Sequence, residues 1–200
     1  MLLATECPIC DRPGPAPCGA CAAAFGDAPK LAAPAGLEAC RALVTYAGSG
    51  RELVAALKFR NRRSVVPWLA ERLAAEAVDC HADVVTWAPT SPVRRRRRGF
   101  DQSELLARRT ARVAGLPLAN CLVRLPGSAQ TGRTLVDRRR GPRFDARRGI
   151  ASAVHGRTVA LVDDVVTSGA TMSRAAEVLR RAGAASVVGV AVARTPTSRC

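Results

Sequence analysis

Apolar residues recur along this chain with two periods. Val159-Ala160-Leu161-Val162 is uniformly apolar and too short for a helix, which predicts a buried strand. Val84-Val85-Thr86-Trp87 and Ser186 to Val192 read the same way, and Arg41 to Ala47 contains an alternating, strand-like run. Helical spacing fills the intervals. Arg51 to Phe59 places Leu53 and Leu57 on one side, and Val65 to Val78 has Pro67 in its first turn with Trp68, Leu69, Leu73 and Val78 turned inward. Gln102 to Ala114 opens on Asp101-Gln102-Ser103-Glu104, a capping-box-like start, with Glu104 and Arg108 paired one turn apart. Gly169 to Arg181 is built of good helix formers. Strands alternating with helices predict an α/β fold.

The stretch from Val159 to Thr171 carries the chemistry. Asp163 and Asp164 follow the apolar run where the strand is expected to leave the sheet. Thr167, Ser168, Gly169, Ala170 and Thr171 then form a small, hydroxyl-bearing turn that leads into a helix. Free N–H groups and partial positive charge at a helix N-terminus suit a phosphate, and Gly169 allows close backbone approach. The acids are placed to accept hydrogen bonds from a sugar diol or to hold Mg²⁺ through water. Phosphate on one side and diol on the other describe ribose 5-phosphate. The plainer alternative is a strand whose exposed acids face water. A Walker B strand lacks its P-loop here, since the only lysines are Lys30 and Lys58. Gly48-Ser49-Gly50 begins a dinucleotide fingerprint, but Leu53 stands where its third glycine belongs.

Two hundred residues suit one domain with a small appendage. No run of about 18 apolar residues is present, and Met1 to Cys10 lacks the form of a secretory signal, so a cytoplasmic location is expected. Cys7-Pro8-Ile9-Cys10 and Cys18-Gly19-Ala20-Cys21 are paired knuckles that offer a closed S₄ metal site. Structural zinc is the expectation; the spacing alone also admits an iron–sulfur site or metal-free thiols. Cys40, Cys80, Cys121 and Cys200 lack partners at ligand spacing and read as small hydrophobes or, for Cys200, a tail thiol. His81 and His155 read as strand-edge residues. Ala22 to Ala39, rich in Ala, Pro and Gly, suggests a linker. The expected division is 1–25, a four-cysteine zinc knuckle; 26–40, a linker; and 41–200, the main domain.

The formal net charge is +15 and nearly all the positive charge is arginine. Such a surface attracts phosphates, on small substrates or on nucleic acid. Thr90, Ser91 and the run Arg94 to Arg98 follow the strand Val84–Trp87 and read as a loop at the sheet edge where open α/β folds bind ligands. A pyrophosphate, a nucleic-acid contact and a merely solvated charge run all fit it. Leu125 to Phe144 is polar, Arg-rich and long for a connection; a basic lid and a segment with no catalytic part both fit.

The motif Leu161 to Thr171 resembles the phosphoribosyl-pyrophosphate (PRPP) signature of type I phosphoribosyltransferases. With the paired knuckles, Leu57-Lys58-Phe59-Arg60, Pro89-Thr90-Ser91-Pro92, Arg98-Gly99-Phe100-Asp101-Gln102 and Ala193-Arg194-Thr195-Pro196, nearly the whole chain resembles the ComF (competence protein F) family. Asp101 stands where that family usually carries Asn; both residues cap helices, so the change reads as structurally mild. The resemblance implies a five-stranded, mostly parallel sheet of the type I phosphoribosyltransferase kind with helices on both faces, a hood, and an N-terminal zinc-binding segment built on four cysteines. It implies that Asp163 and Asp164 bind the ribose hydroxyls and act in catalysis, and that Thr167 to Thr171 bind the 5′-phosphate. Thr90, Ser91 and Arg98 would form a pyrophosphate loop, Mg²⁺ would travel with PRPP, and Cys7, Cys10, Cys18 and Cys21 would hold zinc. The implied partners are PRPP or ribose 5-phosphate and, from the family's association with DNA uptake in natural transformation, single-stranded DNA and a DNA-uptake helicase, without membrane insertion. A non-catalytic DNA-handling accessory that uses the pocket as a sensor is the competing expectation, and the acceptor substrate is not encoded in any motif.

Overall fold

The computed structural model describes residues 5–126 and 141–196. Its elements run α1 (Gly19–Ala23), β1 (Ala39–Thr45), α2 (Gly48–Phe59), a 3₁₀ turn (Arg63–Val65), α3 (Val66–Asp79), β2 (Val84–Trp87), α4 (Pro92–Arg98) and α5 (Gln102–Ala114). They continue with β3 (Leu122–Arg124), β4 (Phe144–Ala146), α6 (Ile150–Val154), β5 (Thr158–Val166), α7 (Ala170–Arg181) and β6 (Ser186–Arg194). Four strands make one parallel sheet in the order β1-β6-β5-β2, and β3 and β4 form a separate antiparallel pair. The fifth strand of the expectation is reduced to a single bridge, in which Leu118 pairs with Val85 at the β2 edge. Pro117 has no N–H to extend that ladder.

Both faces of the sheet are covered, as all-parallel strands require. Leu53, Leu57, Leu69, Leu73 and Leu106, from α2, α3 and α5, pack against Val85, Val162 and Val190 on one face. Met172 and Leu179 of α7 cover Leu161 and Val187 on the other, joined by Leu122 and Phe144. Each fully buried leucine contributes about 1.5–3 kcal/mol of transfer free energy, so this two-sided core is what fixes the strand ends that carry the site.

Several elements depart from the sequence expectation. Arg94 to Arg98 are helical rather than a loop. Pro92 sits in the first turn, the Ser91 hydroxyl accepts from Arg94 N–H at 3.3 Å, and Gly99 stops the helix at φ 79°. Arginine is a good helix former, but α4 buries no residue, so it leaves no apolar period in the sequence. Val78 is 51% exposed, because the inward stripe of α3 is Leu69, Leu73 and Ala77 and Val78 lies a step beyond it. Trp68 is half-buried at the rim, with Arg72 Cζ 3.7 Å from its ring centre and Phe25 at 5.6 Å. Gly50 serves packing: a Cβ there would lie 2.2 Å from the Thr45 carbonyl oxygen, so glycine lets α2 start directly against β1.

Residues 24–38 are tied to the sheet. Arg194 donates to the carbonyls of Leu31 and Ala32 at 3.2 and 2.6 Å, and Thr45 N–H donates to Gly26 at 2.9 Å. Cys121 is buried and Cys40 and Cys80 are half-buried. Cys200 and most of the expected basic lid, residues 127–140, lie outside the described residues.

Candidate functional site

The acids were expected just past the strand. Instead β5 continues to Val166 and carries both within it. The reason lies in its two neighbours. On the β6 side pairing runs on through Asp163↔Ala191 to Val166↔Arg194, while β2 stops at Trp87↔Val162. The acids therefore begin where one neighbouring strand ends, and a crevice opens at the carboxyl edge of the sheet. Both side chains are buried, each residue 8% exposed.

Three elements place partners around them. Lys58, near the end of α2, puts Nζ 2.8 Å from Asp164 Oδ1. Ser103, in the first turn of α5, donates its hydroxyl to Asp163 Oδ1 at 2.9 Å, and Asp164 N–H donates to the same oxygen at 2.8 Å. Asp101 caps α5 with Oδ1, accepting from Ser103 N–H at 3.0 Å and Glu104 N–H at 3.3 Å. Its Oδ2 accepts from Thr90 N–H at 2.7 Å. One carboxylate thus joins the loop after β2, the start of α5 and, through Ser103, the acid pair. Burial pushes the Asp163 carboxyl up to about 7, and the neighbouring Asp164 adds to it; the Ser103 hydroxyl and the Lys58 charge pull the other way. Burial also raises Asp101, against the three N–H groups that hold it ionised.

Gly169 begins α7 at φ 77°, a conformation that favours glycine, and a Cβ there would lie 2.6 Å from Pro34 Cγ. The segment from the cysteine knuckles to β1 thus buttresses the turn that follows the acids.

A cavity of about 230 Å³ collects these groups. Of the residues expected from sequence, Asp163, Asp164, Thr167, Thr171, Thr90 and Arg98 line it. Ser91, Ser168, Gly169 and Ala170 do not: Ser91 caps α4, the Ser168 hydroxyl accepts from Ala170 N–H at 3.5 Å, and Gly169 shapes the turn. Arg94, from the run expected to meet a pyrophosphate, lines it too, whereas sequence reasoning did not assign Lys58, Gln102, Ser103, Arg124 and Tyr46 to the wall. The available signal for Lys58 was its rarity, since the chain has only one other lysine. Asp163 and Asp164 share this lining with Lys58, which pairs with Asp164, and with Arg94, Arg98 and Arg124, which suits a ligand with both hydroxyls and phosphates.

At the N-terminus, the sulfurs of Cys7, Cys10, Cys18 and Cys21 all lie within 4.8 Å of one another, and this is the only such metal-ligand group among the described residues. Cys10 Sγ and Cys18 Sγ are 3.7 Å apart. Zn–S bonds of about 2.3 Å in a tetrahedron put sulfurs about 3.8 Å apart, so four thiolates here fit a metal such as zinc. Burial alone would raise the Cys7 thiol, but the N–H groups of Cys18, Cys10 and Ile9 bring it down to about 6, favouring the ligating thiolate. Arg62 docks the knuckle on the main body through Glu6 at 2.7 Å and Asp11 at 2.9 Å.

Residues 102–199 match the phosphoribosyl transferase domain family. The chain is homologous to the DNA utilization protein YhgH of Escherichia coli K12, with 29% identity over 96% of this chain and 85% of that one. It also matches competence protein F of Haemophilus influenzae, with 33% identity over 48% of this chain and 43% of that protein. Among solved structures, it is similar to the glutamine PRPP amidotransferase of B. subtilis, at 28% identity and a TM-score of 0.43, covering 62% of this chain and 25% of that one. No helix among the described residues is long and apolar enough to cross a membrane.

Proposed function

We propose that the cavity at the carboxyl edge of the sheet binds PRPP or ribose 5-phosphate. In this reading Asp163 and Asp164 accept hydrogen bonds from the ribose 2′- and 3′-hydroxyls, and the turn Thr167 to Thr171 cradles the 5′-phosphate. Thr90 and Arg98 take the pyrophosphate, and Ser91 caps the helix that carries Arg98. The observation that carries it is the convergence of the acid pair, the turn hydroxyls Thr167 and Thr171, and the basic side chains on one cavity. Mg²⁺ would ride on the pyrophosphate: the acids are too few, and one is too firmly held by Lys58, to cage the ion alone. That ion would offset charge on the leaving pyrophosphate. In a transferase the protein's part is to hold the sugar so that a nucleophile displaces pyrophosphate at C1′, with the acids stabilising the oxocarbenium-like state.

The same reading divides the chain into a zinc knuckle over 1–25, a connecting segment over 26–40 and a phosphoribosyltransferase-like domain over 41–200, working in the cytoplasm. Asp163→Asn with Asp164→Asn tests the pocket. The variant folds and no longer binds PRPP; unchanged affinity would remove the assignment.

A second reading, a DNA-handling accessory in which the pocket is a sensor, draws on one surface observation and on the name of the E. coli relative. Phe59 is 73% exposed beside the cavity mouth, with Arg98 Cζ 5.0 Å from its ring centre, and the exposed arginines of α4 run alongside. Aromatic–arginine surfaces suit single-stranded nucleic acid and, through it, a helicase partner. Affinity for a single-stranded oligonucleotide would then fall steeply with salt; a flat salt response would remove this reading.

A further inference from the structure

Gln102 is 1% exposed, yet it forms part of the cavity wall. Its Oε1 accepts from Arg98 Nη1 at 2.9 Å. A guanidinium carries no acceptor, so this contact fixes the amide with oxygen toward Arg98 and the NH₂ group turned away. That Nε2 has no partner. Four buried side-chain polar atoms lack one among the described residues, and the other three are threonine hydroxyls, of Thr86, Thr110 and Thr195. None of those threonines lines the cavity. An amide donor buried without an acceptor is unfavourable, and a leucine or methionine of similar length would avoid it. The arrangement makes sense when a ligand brings the acceptor.

The chemistry of that acceptor follows from the neighbours. Arg98 and Arg94 line the same wall, on the helix just before Gln102, and Thr90 reaches it from the loop after β2. A group that offers only acceptors and carries negative charge suits this wall. A sugar hydroxyl suits the acid pair, which shares the same cavity.

We propose that Gln102 is a specificity residue for the pyrophosphate group, donating Nε2–H to one of its oxygens while Arg98 holds the amide in register. The inference rests on the PRPP reading of the cavity and names the part of the ligand that Gln102 senses. Ribose 5-phosphate lacks that part, which makes the two ligands a paired probe.

The test is calorimetric titration of the full-length, zinc-loaded protein with Mg²⁺–pyrophosphate and, separately, with ribose 5-phosphate. Gln102→Glu keeps the oxygen that accepts from Arg98 and replaces the donor with an anionic acceptor. It weakens pyrophosphate binding by about 10- to 100-fold, the range for one hydrogen bond to a charged group, and changes ribose 5-phosphate affinity by less than about threefold. Gln102→Leu, apolar and of similar size, does the same without lowering the melting temperature, which a purely structural glutamine would not allow. Equal pyrophosphate affinity in folded variants, or equal weakening of both ligands, would overturn the assignment of Gln102 alone. Failure of the wild-type protein to bind either probe would instead remove the parent reading and this inference with it.

Discussion

Lys58 Nζ and Asp164 Oδ1 form an ion pair at 2.8 Å, with the two side chains only 17% and 12% exposed. The pair links the end of α2 to the centre of the sheet, on the wall of the cavity. Removing one partner of such a pair leaves the other charged and poorly hydrated, at a cost of roughly 3–5 kcal/mol when burial is complete and less here. Lys58→Met is therefore expected to lower stability by about 2 kcal/mol, and Lys58→Met with Asp164→Asn to recover most of it. Urea unfolding of the two single variants and the double variant measures the coupling; strictly additive losses would show that the contact contributes nothing.

Asp163 gives the site a pH dependence whose sign can be worked out. Its carboxyl sits at about 7 in the folded protein against an ordinary value of 3.8. A raised folded value means that the folded state holds the proton more tightly than the unfolded one. The associated stability is present below about pH 4 and is lost as the pH rises through about 7, on the order of 1.4 kcal/mol for each unit of separation. Asp163→Asn, neutral throughout, should gain on the wild type as the pH rises from about 4 to about 7. Parallel melting-temperature profiles for the two proteins would contradict the raised value.

Asp101→Asn tests the junction around α5. As a helix cap the change reads as mild, but both carboxylate oxygens are in use: Oδ1 for Ser103 and Glu104 N–H, Oδ2 for Thr90 N–H. An Asn amide has one oxygen, so its NH₂ must face one of those donors. A loss of about 1–3 kcal/mol is expected, with weaker binding of pyrophosphate through the freed Thr90 loop. Denaturant midpoints and pyrophosphate titration measure both; wild-type behaviour in each would mean that the Thr90 contact is dispensable.

What the sequence made legible was what has a period or a motif. Leu53, Leu57, Leu69 and Leu73 announced their helices, and Asp101 to Glu104 announced α5 to the residue. Asp163, Asp164 and the turn after them stood out because strand, acids and helix start are contiguous. The rest of the lining is assembled from distant segments. Lys58 follows β1 and Gln102 follows β2, at the two edges of the four-stranded sheet, and Arg124 belongs to the separate β3–β4 pair, so no local spacing encodes their meeting. Helix α4 was invisible for another reason: a helix with no buried face writes no hydrophobic period, and only its Ser91 cap and Gly99 stop remain to be read.

Metal removal should act locally. Four cysteines hold the knuckle, while its link to the main body includes the partly exposed pairs from Arg62 to Glu6 and Asp11, each of which contributes little. Chelation is expected to release amide hydrogen exchange in residues 5–25 and leave the main-sheet strands β1, β2, β5 and β6 protected. A single transition lost across the whole protein on chelation would show that the metal supports the α/β core as well.

The central claim is that one cavity, lined by both the acid pair and basic side chains, recognises a phosphorylated ribose. Calorimetric titration of the zinc-loaded protein with PRPP and Mg²⁺ tests it most directly. Micromolar binding with one site per chain is the predicted result. Absence of binding at millimolar PRPP would contradict the account and leave the Asp163–Asp164 strand as scaffold.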